Sequence, residues 1–429
     1  MQQTKTFSQH IKTNTTASSS DLCILCRGTK LLCGRSRCPV LVRFHAHQKV
    51  KNLVNTTRIN GSSPPSVFVG RIGYPKVSIG PMIPPVMGDT SHIDTPEQWL
   101  NKKIDDIVDF RSMLIRGKHP INIHDVENSN KIVTFTRELA LSKNSVFTEA
   151  LFHKKPRGNL RFYTESQPHG PSAPIKRFDI TNPKYESHIE KAYYDTDLKS
   201  AEAVYHLFQD GVRISQIQKA FSVGAFGIGK YRRFVPTRWS ITAVDSTIGK
   251  KLMKQTRTFP WMNEFRVYYH NQFDNRWAIL MMPSEWQYEL IEAWYPNTTW
   301  NQYGKKISMF NSYEFHEGRT TYADIGGCYY AARLAVNETL HKECRQAATL
   351  ILREAHPGYI MPIGVWNVRE SVRKTLKQPY QSFDTLHEAL HFISQKMDIS
   401  MNRWIKNSAL LKNRLYQKKL DDFFGILKL

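Results

Sequence analysis

Cys23, Cys26, Cys33 and Cys38 fall within sixteen residues in the spacing C-x2-C-x6-C-x4-C. Thiolates at that density satisfy a tetrahedral metal ion, the first pair forming a knuckle and the second closing the site. Zinc is the expected ion. An iron-sulfur cluster also takes four cysteines, and Pro39 directly after Cys38 keeps that alternative open. Unpaired core cysteines would need apolar neighbours, whereas these are basic and interspersed with glycine. Arg27, Lys30, Arg35 and Arg37 lie inside the cluster, and Arg43, His45, His47, Lys49 and Lys51 follow it, so the module offers cations to phosphate. Cys328 and Cys344 stand apart from it and are expected in a helix packed in the core.

Further along, GAFGIGKY at 224–231 nearly spells a nucleotide-binding loop. Tyr231 replaces the hydroxyl that would hold Mg²⁺, and Pro236 would cut short the helix that should carry the phosphates, so ATP is not expected there. The continuation KYRRFVPTRWSITAVD interleaves Lys230, Arg232, Arg233 and Arg238 with Tyr231, Phe234 and Trp239. Cations for phosphate alternating with rings for bases suit a nucleic-acid surface; a strand turning its rings inward is the structural alternative. Carboxylates for a catalytic metal are scattered: Asp89, Asp94 and Glu97 near His92, Asp245, then Glu314, Glu317 and Asp324 near His316. Of these Asp89, Asp94 and Asp245 are the candidates a metal-dependent nuclease would use, provided the fold converges them.

Charge and length bound what these groups serve. The 429 residues carry 60 Lys and Arg against 37 Asp and Glu, a formal net charge of +23. That excess attracts polyanions, nucleic acid first among them, with ribosomal RNA or an anionic membrane surface as other possibilities. No apolar run approaches the ~18 residues of a membrane span, and MQQTKTFSQH lacks an apolar signal core, so a soluble, intracellular chain is expected.

The elements that must position these groups occur in blocks of strands and of helices without regular alternation, which predicts an α+β fold: a small four-cysteine metal module, a mixed, strand-rich middle and a helical C-terminal part. Residues 1–20, rich in Thr, Ser, Asn and Gln, are expected to be disordered, and 21–51 form the metal module. Residues 64–96 read as strand and loop, with Val67, Phe68, Val69 and Ile72 in need of burial. PEQWLNKKIDDIVDFRSMLI reads as helix, and so does 182–225. From 239 to 315 the pattern is strand-like, with a hairpin about Asp274 and Asn275. YYAARLAVNETLHKECRQAATLILREA reads as helix, as does FDTLHEALHFISQKM. A division is expected in the loop-rich stretch 156–174.

Near the end of the chain, QKKLDDFF places Leu420, Phe423 and Phe424 on one face of a helical turn, with Gln417 a turn behind. Such a plug enters a partner's pocket or forms the last turn of a helix docked on its own domain. The segment resembles the PIP box by which replication and repair proteins dock on the sliding clamp PCNA. The resemblance implies that Gln417 fills the polar pocket and Leu420, Phe423 and Phe424 the hydrophobic one, with Lys412, Arg414, Lys418 and Lys419 close to DNA.

The cysteine cluster, VFVGRIGYPKVSIGPM, GKYRRFVPTRWSITAVDS and QKKLDDFF together resemble the Nre family of archaeal DNA repair proteins, over nearly the whole chain from Asp21 onward. The resemblance implies a cytoplasmic, chromosome-associated protein acting on damaged DNA. It also implies an N-terminal-type domain at 52–165, a C-terminal-type α+β domain at 175–400, and a basic helix with the PIP-box tail at 401–429. It supplies no agreed reaction. The expected function is therefore a DNA repair factor that binds DNA and is recruited to PCNA; the alternatives are a metal-dependent, structure-specific nuclease and an RNA-binding protein.

A synthetic peptide spanning Asn413 to Leu429 is expected to bind the clamp with micromolar affinity, on the order of −8 kcal/mol. Calorimetric titration should show this binding abolished by Phe423→Ala with Phe424→Ala. Deleting residues 417–429 should leave the melting temperature of the full chain unchanged; a drop of several degrees, with no peptide binding, would assign the tail to the protein's own core.

Overall fold

The computed structural model describes residues 19–127, 129–158 and 167–416, so Gln417, Leu420, Phe423 and Phe424 lie outside the described residues. The fold is α+β and divides into two compact units. One comprises Ser19–Lys251 and Ile360–Glu370; the other is built from Leu252–Tyr359 and the chain from Ser371 on. No helix among the described residues is long and apolar enough to cross a membrane.

The first unit is organised by six strands, β1 (Arg58–Ser63), β2 (Val67–Val69), β3 (Lys76–Ile83), β4 (Ile115–Asn122), β5 (Val146–Phe152) and β6 (Ser172–Ile180). They lie in the order β1-β5-β6-β4-β3-β2, with β4 and β6 parallel and the other neighbours antiparallel. Alternation drives the assembly: Val67, Val69, Val77, Ile79, Ile115 and Ile121 are all buried, with Phe68, Ser78 and Arg116 between them less so. Strands β3 and β4 approach closely at Gly80, where a Cβ would stand 2.2 Å from the Gly117 carbonyl oxygen. The described residues of the stretch 156–174 belong to this unit, those from Gln167 leading into β6.

Two buried ion pairs brace the unit. Asp94 accepts a hydrogen bond from the Ser66 hydroxyl at 2.5 Å and pairs with Arg111 at 3.1 Å and Lys219 at 2.9 Å. Asp245 receives Arg369 Nη1 at 2.8 and 3.0 Å and Gln218 Nε2 at 3.0 Å. Lys219 and Gln218 are consecutive residues of the helix Ile214–Ser222, which thereby serves both carboxylates.

The second unit carries β7 (Phe265–Gln272), β8 (Asn275–Met282), β9 (Gln287–Trp294), β10 (Ser308–Glu314), β11 (Ala348–Ala355) and β12 (Gln381–Phe383), in the order β10-β9-β11-β8-β7-β12. The expected hairpin is present, its turn formed by Phe273 and Asp274, both left-handed, one position earlier than the spacing suggests. Arg353, in the middle of the sheet, pairs with Glu292 at 2.7 Å and Asn275 at 2.9 Å, against the rings of Trp277, Trp294 and Tyr359. Glu289 is fully buried and accepts from the Ser408 hydroxyl and from the backbone N–H groups of Ala409 and Leu410 at 2.6–3.0 Å. It caps the first turn of the helix Ala409–Tyr416.

Two expected elements differ. The run beginning YYAARLAV is not one helix: Gly327–Lys342 is helical, Cys344 turns left-handed, Arg345 N–H returns to the Leu340 carbonyl at 3.0 Å, and ATLILREA becomes the central strand β11. All eight residues of β11 are buried, so no alternation marks it as a strand. Conversely, 237–256 is helix rather than strand. Its β-branched residues suggest a sheet, but Ser240, Val244, Ile248 and Leu252 are buried at a spacing of four.

Asp94 tests the bracing. Burial opposes its charge, yet Lys219, Arg111 and the Ser66 hydroxyl outweigh that and hold the carboxyl below its ordinary range. Because the folded pKa is depressed, the contribution is present above the unfolded value near 3.9 and lost as pH falls through the folded one. Asp94→Asn should destabilise the protein by about 3–5 kcal/mol at neutral pH, by leaving two cations without their counter-charge. Denaturant titrations should show this deficit shrink progressively below about pH 4.

Candidate nucleic-acid interface

The two stretches that stand out in the sequence, 67–82 and 229–246, meet in space. Val69 N–H donates to the Thr237 hydroxyl at 2.9 Å. Ile123 lies between them, its N–H donating to the Pro75 carbonyl at 3.0 Å and its carbonyl accepting from Phe234 N–H at 2.8 Å. Phe234, 1% exposed, is the apolar anchor of the second stretch. Beyond it the helix Thr237–Thr256 begins behind Pro236, with Trp239 in its first turn. Facing it, β2 and β3 are joined by the loop GRIGYP, closed by Gly70 N–H to the Ser78 carbonyl at 2.7 Å and Lys76 N–H to the Gly73 carbonyl at 2.9 Å.

The outcome is a pair of half-exposed rings, Tyr74 and Trp239, with centroids 5.2 Å apart and planes at 58°. Ile72, expected in the core, stands at the tip of the loop and is 90% exposed; Tyr231 is also largely exposed. Arg71, Lys76, Lys230, Arg233 and Arg238 are exposed on the same two stretches. Arg232 is different: its guanidinium donates to the carbonyls of Gly227, Tyr193 and Asp195 at 2.6, 2.7 and 3.0 Å, stapling the loop rather than facing solvent. The spacing of 230–239 reveals half of this surface. Arg71, Tyr74 and Lys76 belong to no local pattern that marks them, and Ile72 reads as a core residue. The signal that could have found it is an isoleucine set between Gly70 and Gly73, in a turn too tight to turn it inward.

The candidate catalytic carboxylates are placed separately. Asp89 is exposed and accepts from Ser91 N–H at 2.9 Å, and the Ser91 hydroxyl and backbone hold it below its ordinary range. Asp94 and Asp245 are consumed by the buried cations described above. Glu97 accepts from Ser215 N–H and Oγ, each at 2.9 Å. In the second unit, Glu314 binds Arg333 at 2.9 Å and Trp286 Nε1 at 3.1 Å. Among the described residues, Asp89, Asp94 and Asp245 do not gather as a group of ligand atoms; the ligand atoms of Glu354, His356 and Asp398 do, within 4.8 Å. Those acceptors are already in use: Asp398 pairs with Arg276 at 2.5 Å, and Glu354 accepts from the N–H groups of Asp398 and Ile399 at 3.2 and 2.8 Å.

Cys23 and Cys26 lie on the short helix Ser19–Cys26, and a turn then leads into the helix Pro39–Lys51, with Cys38 at its N-cap. All six cysteines are free thiols. Left-handed Arg27, Gly28, Leu31 and Gly34 curl the chain so that backbone N–H groups of Leu32, Gly28, Leu31 and Lys30 point at the Cys26 sulfur, lowering its pKa. Burial, then Cys33, Cys38 and Cys26, push the Cys23 thiol up. Mutual repulsion of this kind is relieved by a cation among the sulfurs, and the N–H groups around Cys26 favour the thiolate that ligation needs. Among the described residues no three sulfurs lie within 4.8 Å of one another, so ligation would draw them inward to the ~3.8 Å of a tetrahedral thiolate set. Several nearby cations are engaged within the unit: Arg35 donates to the Ile360 carbonyl at 2.7 Å, Arg37 to Asp105 at 3.0 and 2.8 Å, and Lys49 to Asp109 at 2.5 Å.

Comparison with known proteins gives consistent matches along the chain. The family described as "Archaeal Nre, N-terminal" matches residues 32–301, and "Archaeal Nre, C-terminal" matches residues 314–423. The chain is 41% identical over 402 residues to DNA repair protein NreB of Archaeoglobus fulgidus, covering 94% of this chain and 99% of that one. It is 35% identical over 404 residues to DNA repair protein NreA of the same organism, covering 94% and 98%. To DNA repair protein NreA of Haloferax volcanii it is 30% identical over 365 residues, covering 82% and 86%. No solved structure matches.

Proposed function

We propose, from the premise that this chain belongs to the archaeal Nre family, that it is a DNA repair protein binding DNA through the joined stretches around Tyr74 and Trp239. The relatives named DNA repair proteins support the repair role. The observation that carries the DNA surface is the Tyr74–Trp239 ring pair, exposed on a rim of arginine and lysine. Arg71, Lys76, Lys230, Arg233 and Arg238 neutralise backbone phosphates, which fixes the register of the strand without reading its sequence. Tyr74 and Trp239 present faces on which an unpaired base stacks, and Ile72 projects far enough to enter a gap between bases. This chemistry suits a strand whose stacking is already interrupted, as at a lesion, better than an intact duplex.

Two further parts complete the reading. Cys23, Cys26, Cys33 and Cys38 hold a zinc ion that fixes the fold of a segment too short to have a core of its own. The residues Gln417, Leu420, Phe423 and Phe424 dock on the sliding clamp PCNA and bring the DNA surface to sites of synthesis and repair. The support for this last part is the motif itself, in a chain whose relatives carry the repair name.

Fluorescence anisotropy against salt should give a log-log slope of about −0.9 per phosphate neutralised on duplex DNA. Replacing Arg71, Arg233 and Arg238 together by Ala should flatten that slope by up to about three such increments, whereas Trp239→Ala should weaken single-stranded and gapped DNA by about 1–3 kcal/mol and leave the slope in place. An unaltered slope and affinity in the triple variant would remove the surface from the mechanism. Elemental analysis should find one zinc per chain, and Cys26→Ser should release it together with the ordered structure of residues 21–51. Iron and sulfide in place of zinc would reassign the module.

A further inference from the structure

A second group of cations in the first unit has no part in that surface. Arg116, on β4, lies over the Phe68 ring at 4.7 Å. Its backbone N–H donates to the Pro171 carbonyl at 2.9 Å and it pairs in register with Ser172, which brings the His169–Gly170 turn alongside. His169 Nδ1 is 3.0 Å from the Gly170 carbonyl, so its Nε2 is the nitrogen left for a ligand. Ser172 exchanges two hydrogen bonds with Arg157, at 3.2 and 3.1 Å, and the next residue, Gly158, abuts His47 so closely that a Cβ would stand 2.8 Å from the ring. His47 follows Arg43 by one turn on the helix Pro39–Lys51, on the same face. Arg111, near the end of the helix that leads into β4, adds another cation.

Arg116 acts electrostatically on His169, and among the described residues no carboxylate acts on His169 and only Asp94 acts on Arg116. Asp94, the carboxylate that acts on Arg116, is already bound by Arg111, Lys219 and Ser66. The Nε atoms of Arg111 and Arg116 are buried and have no hydrogen-bond partner among the described residues. Burial, then Arg111, pushes Arg116 down to about 10, and burial, then Arg116, pushes His169 down to about 4. Burial, then Arg43, lowers His47 as well. Cations are almost never held in this way unless something pairs with them.

We infer that Arg116, His169 and His47, backed by Arg43 and Arg111, form a pocket for a dianionic phosphate monoester. Two negative charges on one compact group offset the surplus at a point, and its oxygens match the Arg116 fork; His169, whose Nδ1–H is directed at the Gly170 carbonyl, offers Nε2–H as a donor once the arriving dianion draws a proton onto the ring. A backbone diester carries one charge and two bulky substituents and suits the open cationic rim better. The ligand is either a small phosphorylated molecule or the terminal phosphate of a broken strand.

The full-length, metal-loaded protein should be titrated with inorganic phosphate, and with chloride at matched ionic strength, by differential scanning fluorimetry and calorimetry. Phosphate should bind saturably and raise the melting temperature where chloride does not. Arg116→Met should weaken that binding about tenfold or more, and His169→Gln, a milder change, should do so as well. Trp239→Ala should leave it intact, which separates this pocket from the DNA surface. Oligonucleotides ending in 5′-phosphate, 3′-phosphate or hydroxyl then locate the source: a phosphate-dependent gain lost in Arg116→Met identifies a strand end, and equal affinities for all three identify a small molecule. Equal responses to phosphate and chloride, or phosphate binding that survives in a folded Arg116→Met and in His169→Gln, would overturn the pocket.

Discussion

The carboxylate of Asp94 is the constraint from which the side of the first unit carrying Tyr74 and Trp239 follows. It is 3% exposed, and removing such a charge from water costs several kcal/mol unless cations and donors meet it. Those that meet it come from three places: Ser66 directly ahead of β2, Arg111 on the helix before β4, and Lys219 on the helix Ile214–Ser222. Ser66 fixes the root of the loop that carries Ile72 and Tyr74. Lys219 fixes the helix that feeds the stretch ending in Trp239. One buried anion thus braces from beneath two surface segments that are joined above it by Val69 to Thr237 and by Ile123.

The same logic explains how a chain with so large a positive charge folds at all. Many of its carboxylates are spent inside, on arginines that the sheets enclose: Glu292 on Arg353, Glu314 on Arg333, Asp245 on Arg369. Each enclosed pair is neutral, so it neither repels its surroundings nor dilutes the field outside. The unbalanced cations remain on the surface, where they attract polyanions, and at Arg116, where burial makes their repulsion acute.

The β7–β8 hairpin and the exposed cations and rings Lys230, Tyr231, Arg233, Arg238 and Trp239 were legible in the sequence because each is a local pattern with a local cause. What was not legible depended on the fold's long-range pairing. Trp239 is joined to its partner loop by contacts such as Val69 to Thr237, 168 positions apart, and nothing in either stretch names the other. Strand β11 escaped because a strand covered on both faces loses its alternation, and helix 237–256 because β-branched residues are read as strand unless their spacing of four is counted. Asp94 and Asp245 looked like metal ligands for the same reason: sequence does not distinguish an acid awaiting a metal from one already paired with arginine.

Glu289 gives the end of the described chain a definite mechanical character. With its carboxylate gripping Ala409 and Leu410, with Leu410 and Leu411 buried, and with Arg414 donating to the Pro283 carbonyl at 2.8 Å, the helix Ala409–Tyr416 is held on the second unit, while Leu415 and Tyr416 at its end are exposed. Whatever takes hold of the chain beyond that helix is therefore joined directly to a packed element of the second unit. Short tethers convert a second binding event into an intramolecular one at effective concentrations of about millimolar, so a grip taken there would strengthen any second grip made by this same unit.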